Sequence, residues 1–344
     1  MILDGRDADA IKAAAQAIAA GELVGLPTET VYGLAADADK AAAIAKIFAA
    51  KGRPANHPLI VHVSDASAVA HFARDTPAFA QALIHAFWPG PLTLILPRQP
   101  GVAAAAAGGQ DSIGLRCPSH PVAQALLKAC LASGSANTKP VWGIAAPSAN
   151  LFGRVSPTTA QHVQEEFGAD LLVLDGGACS VGIESTIIDC TRGVPVLLRP
   201  GAVTSEQVRA VCGMRVLTQE AMQAAGKAAP RASGTLESHY APNAKVRLMD
   251  AKALQTALDL LGSDADGKAG APVIATYSRV VLRTPSATVL RQRMPDDAAA
   301  TAQQLFAVLR AFDAQGVKLI WIETPRDTPE WDGVRDRLQR AAAG

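Results

Sequence analysis

Leu26-Pro27-Thr28-Glu29-Thr30-Val31-Tyr32-Gly33-Leu34 is the stretch on which the reading of this chain turns. A short apolar run, Leu23 to Leu26, ends at a proline, gives way to Thr-Glu-Thr, and closes on Tyr-Gly. The pattern predicts a strand whose end displays hydroxyls and a carboxylate beside a glycine. Groups of that kind can hydrogen-bond a small polar ligand, and the same residues can equally form a turn with a capping box. Taken alone, the stretch leaves both readings open.

On either side the sequence alternates helix and strand signals. Residues 8–20 read as an Ala-rich helix ended by Gly21, and residues 41–50 as a second, closed by Gly52 and Pro54. Residues 59–63 form an apolar, β-rich run. Residues 77–88 read as a helix stopped by Pro89-Gly90-Pro91, 92–96 as a strand, and 121–131 as a helix with proline near its start. Residues 171–174, 186–188 and 196–198 are further strands between glycine-containing turns. Such mixing predicts an α/β fold, an open domain with a mixed sheet, over residues 1–214. The texture then changes. Residues 215–244 are rich in Ala, Gly, Ser and Pro without a durable period and read as a linker. Residues 245–344 return to a compact alternation: strand 246–249, helix 254–261, strands 273–275 and 288–290, helix 301–314, strand 318–322, helix 333–342. This predicts a small Rossmann-like α/β domain, but no G-x-G-x-x-G marks it as a dinucleotide site.

The chain has 344 residues, enough for two domains, with 49% hydrophobic and 18% charged residues. Lys plus Arg number 32 against 31 Asp plus Glu, so the chain is no bulk nucleic-acid coat. No apolar run reaches about 18 residues, and the N-terminus lacks a basic region ahead of an apolar one. Neither a membrane span nor a secretory signal is expected. Five cysteines, an odd number with no C-x-x-C pair, fit reduced thiols in a cytoplasmic protein.

Other segments place polar groups at strand ends. Lys51-Gly52-Arg53-Pro54 sets two cations after a helix. An isolated pair there usually only offsets the helix dipole; the functional reading is a polyphosphate clamp, with a forked Arg53 and Lys51 as a point charge. His62 lies inside an apolar strand, where a satisfied core histidine is the commoner outcome, and its spacing from His57 does not suggest zinc. Ser112-Ile113-Gly114-Leu115-Arg116 and Leu198-Arg199-Pro200-Gly201 each put an arginine at the end of a strand-like run. Ala146-Pro147-Ser148-Ala149-Asn150, Ser156-Pro157-Thr158 and Glu184-Ser185-Thr186 supply hydroxyls and amides. Each is weak alone, but open α/β sheets bind ligands at strand ends, and here many strand ends are polar. The sequence has no P-loop, no G-x-S-x-G elbow and no H-E-x-x-H.

In this order, from about Gly21 to Gly201, the segments resemble the YrdC-like family of threonylcarbamoyl-AMP synthases. Ser238-His239-Tyr240-Ala241-Pro242 resembles the linker of the family's two-domain form, which adds a C-terminal Rossmann-like domain. The resemblance implies condensation of L-threonine, bicarbonate (or carbon dioxide) and ATP to threonylcarbamoyl-adenylate and pyrophosphate, with Mg2+ accompanying ATP. Other proteins would then pass the threonylcarbamoyl group to an adenosine of tRNAs reading ANN codons. By motif, Thr30, His62, Arg116, Ser185 and the backbone near Ala146 resemble the threonine-binding set, Arg116 pairing with the carboxylate. Arg53, Ser112, Ser148, Ser156 and Arg199 resemble the ATP-binding set. Lys51 and Asn150 complete the Lys-x-Arg and Ser-x-Asn pairs, with Lys51 and Arg53 expected to carry the chemistry. Tyr240 would reach from the linker to cover the nucleotide, the C-terminal domain steadying it as a lid. His57 departs from the asparagine common before Pro-Leu, so a contact from it to ATP would depend on pH. No side chain is expected to hold a metal by itself.

Two rivals remain at this stage. A non-catalytic RNA-binding module of the same fold would use the same cations, but the chain is not basic and only 4% aromatic. A related carbamoyl-transfer enzyme of hydrogenase maturation would bring cysteine pairs that this sequence lacks.

Overall fold

The computed structural model describes residues 1–134, 139–224, 230–234, 239–261 and 273–344. Of the expected linker, residues 225–229 and 235–238, Ser238 among them, lie outside the described residues. The chain forms two compact units: Met1–Phe152 with Ser156–Thr235, and Gly153–Val155 with Leu236–Gly344.

In the first unit the strands are β1 (Ile2–Asp4), β2 (Val24–Leu26), β3 (Gly33–Asp37), β4 (Ile60–His62), β5 (Leu92–Pro97), β6 (Ser112–Arg116), β7 (Ile144–Ala145), β8 (Leu172–Asp175), β9 (Thr186–Asp189), β10 (Val196–Arg199) and β11 (Leu217–Thr218). Among the described residues they make one mixed sheet in the order β1-β8-β2-β3-β7-β4-β6-β5-β9-β10-β11. The expected mixed sheet is therefore present. β2 and β3 pair antiparallel, with Leu26 opposite Gly33, so the Thr-Glu-Thr run is the connection of a hairpin. β4 and β6 pair parallel, with Ile60 opposite Gly114 and His62 opposite Arg116. Side chains alternate across a strand. Ser112, Gly114 and Arg116 thus share one face of β6, while Ile113 and Leu115 enter the main core with Leu59, Val61, Leu94 and Ile188.

The helices begin and end where local chemistry dictates. Asp7 accepts from the Asp9 amide at 3.1 Å to cap helix Ala8–Ala20, and Gly21 ends it in the left-handed region at φ 88°. Ile11, Ala14, Ala15 and Ile18 recur at helical spacing and pack with Val122, Leu126 and Leu127 of helix Pro121–Ala132. Several elements were not expected from the sequence. β1 has three residues, and β3 is Gly-Leu-Ala-Ala-Asp without a β-branched side chain. Helix Ser205–Cys212 starts on a capping box of Thr204 and Gln207. Helix Gln219–Ala224 lies inside the segment expected to be a linker, held there by Met222, which packs with Ile95, Ile187, Val196 and Leu198.

The second unit contains β12 (Lys245–Met249), β13 (Ile274–Ser278), β14 (Val289–Arg293) and β15 (Leu319–Glu323), a parallel sheet in the order β12-β15-β13-β14. Its helices are Ala251–Leu261, Ala298–Ala314 and Asp332–Ala342. At the strand ends the Glu323 carboxylate accepts from the Ser278 hydroxyl at 2.7 Å, the Arg279 amide at 2.7 Å and the Arg279 guanidinium. Arg279 in turn lies over the Trp331 ring at 5.5 Å. Burial alone would raise the Glu323 pKa, but these donors outweigh it and hold the carboxyl below its usual range. Among the described residues, no helix is long and apolar enough to cross a membrane.

Glu323→Ala strands these donors and should lower the stability of the second unit by about 1–3 kcal/mol, measured by denaturant titration at pH 7. Because the folded pKa is lowered, the stabilisation is full above the unfolded carboxylate pKa and fades as pH falls through the folded one. The gap between wild type and variant should close in acid.

Candidate active site

The hairpin connection folds onto itself before it meets anything else. The Thr28 hydroxyl donates to the Val31 carbonyl at 2.6 Å and accepts from the Val31 amide at 3.2 Å. Its oxygen also lies 2.9 Å from the Thr30 hydroxyl. The motif is therefore a turn that leads into β3 rather than a capped helix, and it holds Glu29 and Thr30 in buried positions. Tyr32 anchors the far side, its hydroxyl donating to the Gly177 carbonyl at 2.8 Å and accepting from the Gly176 amide at 3.1 Å. Gly33 is required because a Cβ there would stand 2.9 Å from the Ala146 Cβ.

Arg116, at the end of β6, reaches this turn. Its guanidinium donates to the Thr30 hydroxyl at 2.7 Å and to the Gly90 carbonyl at 3.2 Å, and meets the Glu29 carboxylate at 2.6 Å. Arg116 and Glu29 are each 4% exposed. Burial would raise the Glu29 pKa, but the charge and hydrogen bond of Arg116 prevail and hold it below the usual carboxylate range. His62 is buried one strand away, across from Arg116, and its Nδ1 has no hydrogen-bond partner. Burial and then the Arg116 charge push its pKa down to about 3, so the ring is neutral at pH 7. A neutral imidazole nitrogen, a hydroxyl and a guanidinium thus converge. Ala146 adds backbone, its amide donating to the Ile60 carbonyl at 3.1 Å.

A second group lies along β9 and β10. The Ser185 and Thr93 hydroxyls are 2.7 Å apart. Arg199 donates to the Ser185 carbonyl at 2.8 and 3.0 Å, to the Ser185 hydroxyl at 3.2 Å and to the Ser233 carbonyl at 3.0 Å. Gly201 lets the chain turn under this group, since a Cβ there would sit 2.6 Å from the Thr186 amide nitrogen. Arg53 donates to the Pro58 carbonyl at 3.0 Å and to the Ser233 hydroxyl at 3.4 Å, and lies over the Phe152 ring at 5.9 Å. The two arginines expected at ATP therefore share Ser233, a residue of the expected linker. Ser112, at the start of β6, lines a small pocket with Ile60, Gly114, Arg231 and Ser233. The half-buried His57 packs edge-on against Phe152 at 5.4 Å, and burial, then the Arg53 and Arg231 charges, lower its pKa.

Lys51 is 2% exposed and donates to the Ser148 carbonyl at 2.6 Å and to the Asn150 carbonyl. Burial and the Arg53 charge push its pKa down to about 7, against the opposing charges of Glu166 and Glu184. Asn150 is buried, its amide group donating to the Leu151 carbonyl at 2.7 Å. Ser156 is buried and bonds to the Glu184 carboxylate. Tyr240 belongs to the second unit, where its buried ring stacks with Phe306 at 5.5 Å and meets His239 at 4.1 Å.

Glu29, Thr93, Glu184 and Ser233 escaped assignment from sequence. Glu29 and Glu184 sit inside the motifs themselves, whereas Thr93 lies in an apolar strand with no flanking signal. A wider cleft of about 1160 Å³ at the other end of β3, beside Asp37, Asp39, His71 and Trp142, is lined by none of these residues.

Comparison with known proteins places this geometry. A family model described as telomere recombination, covering Sua5, YciO and YrdC, matches residues 16–201. A second, described as the threonylcarbamoyl-AMP synthase C-terminal domain, matches residues 203–343. The threonylcarbamoyl-AMP synthase of Pyrococcus abyssi is 36% identical over 336 residues, covering 96% of this chain and 94% of that protein. That of Bacillus subtilis is 35% identical, covering 97% and 93%. Among solved structures, P. abyssi Sua5 complexed with L-threonine is similar with a TM-score of 0.81 at 35% identity, covering 96% of this chain and 94% of that one.

Glu29→Gln removes one charge of a buried pair and leaves Arg116 uncompensated. The variant should be about 3 kcal/mol less stable than wild type by urea titration at pH 7. The lowered folded pKa makes this contribution present above the unfolded pKa and lost as pH falls through the folded one, so the two proteins should converge in acid.

Proposed function

The chain belongs to the threonylcarbamoyl-AMP synthase family, and from that membership we propose that it is a nucleotidyltransferase condensing L-threonine, bicarbonate (or carbon dioxide) and ATP into threonylcarbamoyl-AMP and pyrophosphate. The observation that carries the substrate reading is the buried convergence of Arg116, Thr30 and neutral His62. A guanidinium suits the carboxylate of an amino acid, and a hydroxyl and an uncharged ring nitrogen suit its hydroxyl and amine. The relative crystallised with L-threonine supports the same reading.

In this reading the threonine amine takes up carbon dioxide to give a carbamate, and a carbamate oxygen attacks the α-phosphorus of ATP, with pyrophosphate leaving. Both reactants are anionic, so the site must hold negative charges together. Arg53 and Arg199, both buried, are proposed to bind the phosphates, with Lys51 a third positive charge behind them. Ser112, Ser148, Asn150 and Ser156 would hydrogen-bond the nucleotide, and Ser185, beside Thr93, would face threonine. His57 would add a contact to ATP as a neutral ring. Tyr240 is proposed to act at the nucleotide. Magnesium would enter with ATP, held by phosphate oxygens and water. No side-chain nucleophile is required, because positioning supplies much of the acceleration. The product would pass to threonylcarbamoyl-transferring proteins acting on tRNA, in the cytoplasm. A direct tRNA contact belongs to the same proposal. The alternative of a non-catalytic RNA-binding module loses ground, because relatives that match 93–97% of this chain are named as synthases.

The decisive assay is pyrophosphate release from ATP with magnesium and bicarbonate, with and without L-threonine. Release should require both threonine and bicarbonate, and the product should have the mass of threonylcarbamoyl-AMP. Folded protein that releases none but binds RNA would reverse the reading. Arg116→Ala should raise the KM for threonine about 100-fold, the scale of a lost charge-assisted pair, and leave the KM for ATP within about threefold. Equal losses for both substrates would remove Arg116 from the threonine site.

A further inference from the structure

We infer that Lys51 serves the reaction as a positioning residue, holding the Ser148–Phe152 loop in place rather than touching ATP. The inference rests on the synthase reading for the loop's importance, while the holding itself is a matter of geometry.

Lys51 is the last residue of helix Ala41–Lys51, and Gly52 follows in the left-handed region at φ 60°. That turn separates the two cations of the Lys-x-Arg pair. Arg53 goes on to Pro58, Ser233 and the Phe152 ring. Lys51 stays behind and meets the loop at three points. Its ammonium donates to the carbonyls of Ser148 and Asn150, and its own carbonyl accepts from the Phe152 amide at 2.9 Å. The rest of the loop hangs from the hairpin: Leu34 donates to the Pro147 carbonyl at 2.8 Å, and Ala149 to the Tyr32 carbonyl at 2.8 Å. The segment carrying Ser148 and Asn150 is thus held between the Thr-Glu-Thr hairpin on one side and one lysine on the other.

Two of the three ammonium N–H groups are engaged by carbonyls, and the side chain is almost wholly covered. A lysine acting as a point charge on polyphosphate would present its donors to the ligand. This one turns at least two of them toward backbone oxygens. Charge-assisted bonds of this kind are among the stronger ones available to a loop. Without them the loop would keep its backbone bonds to Tyr32, Leu34 and the Lys51 carbonyl, and the bond from the Leu151 amide to the Glu166 carboxylate at 3.2 Å.

The test uses Lys51→Met and Lys51→Arg in the full chain. Amide hydrogen exchange at Ala149, Asn150 and Phe152 should be about tenfold or more faster in Lys51→Met, with exchange in β6 unchanged. The KM for ATP should rise about tenfold, and adding Ser148→Ala should raise it by no more than about another threefold, since both changes act on one loop. Lys51→Arg, which keeps a cationic donor within reach of both carbonyls, should recover most of the protection. Unchanged loop exchange beside a raised KM would overturn the inference in favour of direct contact. So would a double-variant KM equal to the product of the single effects. Should Lys51→Met fail to fold, Lys51→Arg decides: protected loop amides with KM within about threefold of wild type support the inference, and a protected loop with ATP affinity lost overturns it. Exchange needs no turnover, so wild-type protein without pyrophosphate release would sink the synthase reading and leave the holding role to be judged by exchange alone.

Discussion

A carboxylate and a guanidinium shut away from water must find each other, and in this chain Glu29 and Arg116 do so at 2.6 Å. Removing two charges from solvent is costly, and the cost is tolerated only when geometry and further hydrogen bonds compensate. Here those bonds are the contacts of Arg116 with Thr30 and Gly90. The demand reaches into the topology. Glu29 leaves β2 and Arg116 ends β6, and the sheet order puts β3, β7 and β4 between those strands. For the pair to close, the hairpin connection must bend so that Glu29 and Thr30 meet the Arg116 side chain. The internal hydrogen bonds of Thr28, the anchoring of Tyr32 and the absence of a side chain at Gly33 all serve that bend.

The pair also divides the site into halves of different electrostatic character. Around Thr30 and His62 the positive charge of Arg116 already faces a carboxylate, and the histidine is neutral. An amino acid with its own carboxylate and amine meets balanced surroundings there. On the other side Arg53 and Arg199 both reach Ser233, and Lys51 stands nearby in sequence with two backbone carbonyls around it. A polyanion meets a different environment there, richer in cations. The two halves are thus electrostatically unequal.

Much of this could be read from the chain, and the gaps have physical reasons. Helix Ala8–Ala20 announced its end with Gly21, while its cap at Asp7 was found only in the structure. In the second unit β15 stood out by its apolar run Leu319-Ile320-Trp321-Ile322, as a buried parallel strand does. β3 did not, since Gly33-Leu34-Ala35-Ala36-Asp37 has no β-forming bias and owes its conformation to pairing with β2 on one side and with β7, far away in sequence, on the other. Helix Gln219–Ala224 was hidden in linker-like composition, with Met222 as its one buried residue. For the site, motif order pointed to Thr30, His62 and Arg116. It could not show that Glu29 would be the partner of Arg116, or that Thr93, embedded in an apolar strand, would stand beside Ser185. Lys51 was recognised as a cation of interest, but its direction depends on one left-handed glycine, and handedness is invisible in composition.

The second unit holds one more consequence. The ends of parallel strands are where open α/β sheets ordinarily receive a visitor, commonly an anion cradled by backbone amides. In this unit the place is taken by Glu323, a resident supplied by the neighbouring strand. A resident on the same chain has an effective concentration that no dissolved anion matches, and it is never diluted away. The end of β13 therefore carries its own carboxylate whether dissolved anions are scarce or plentiful.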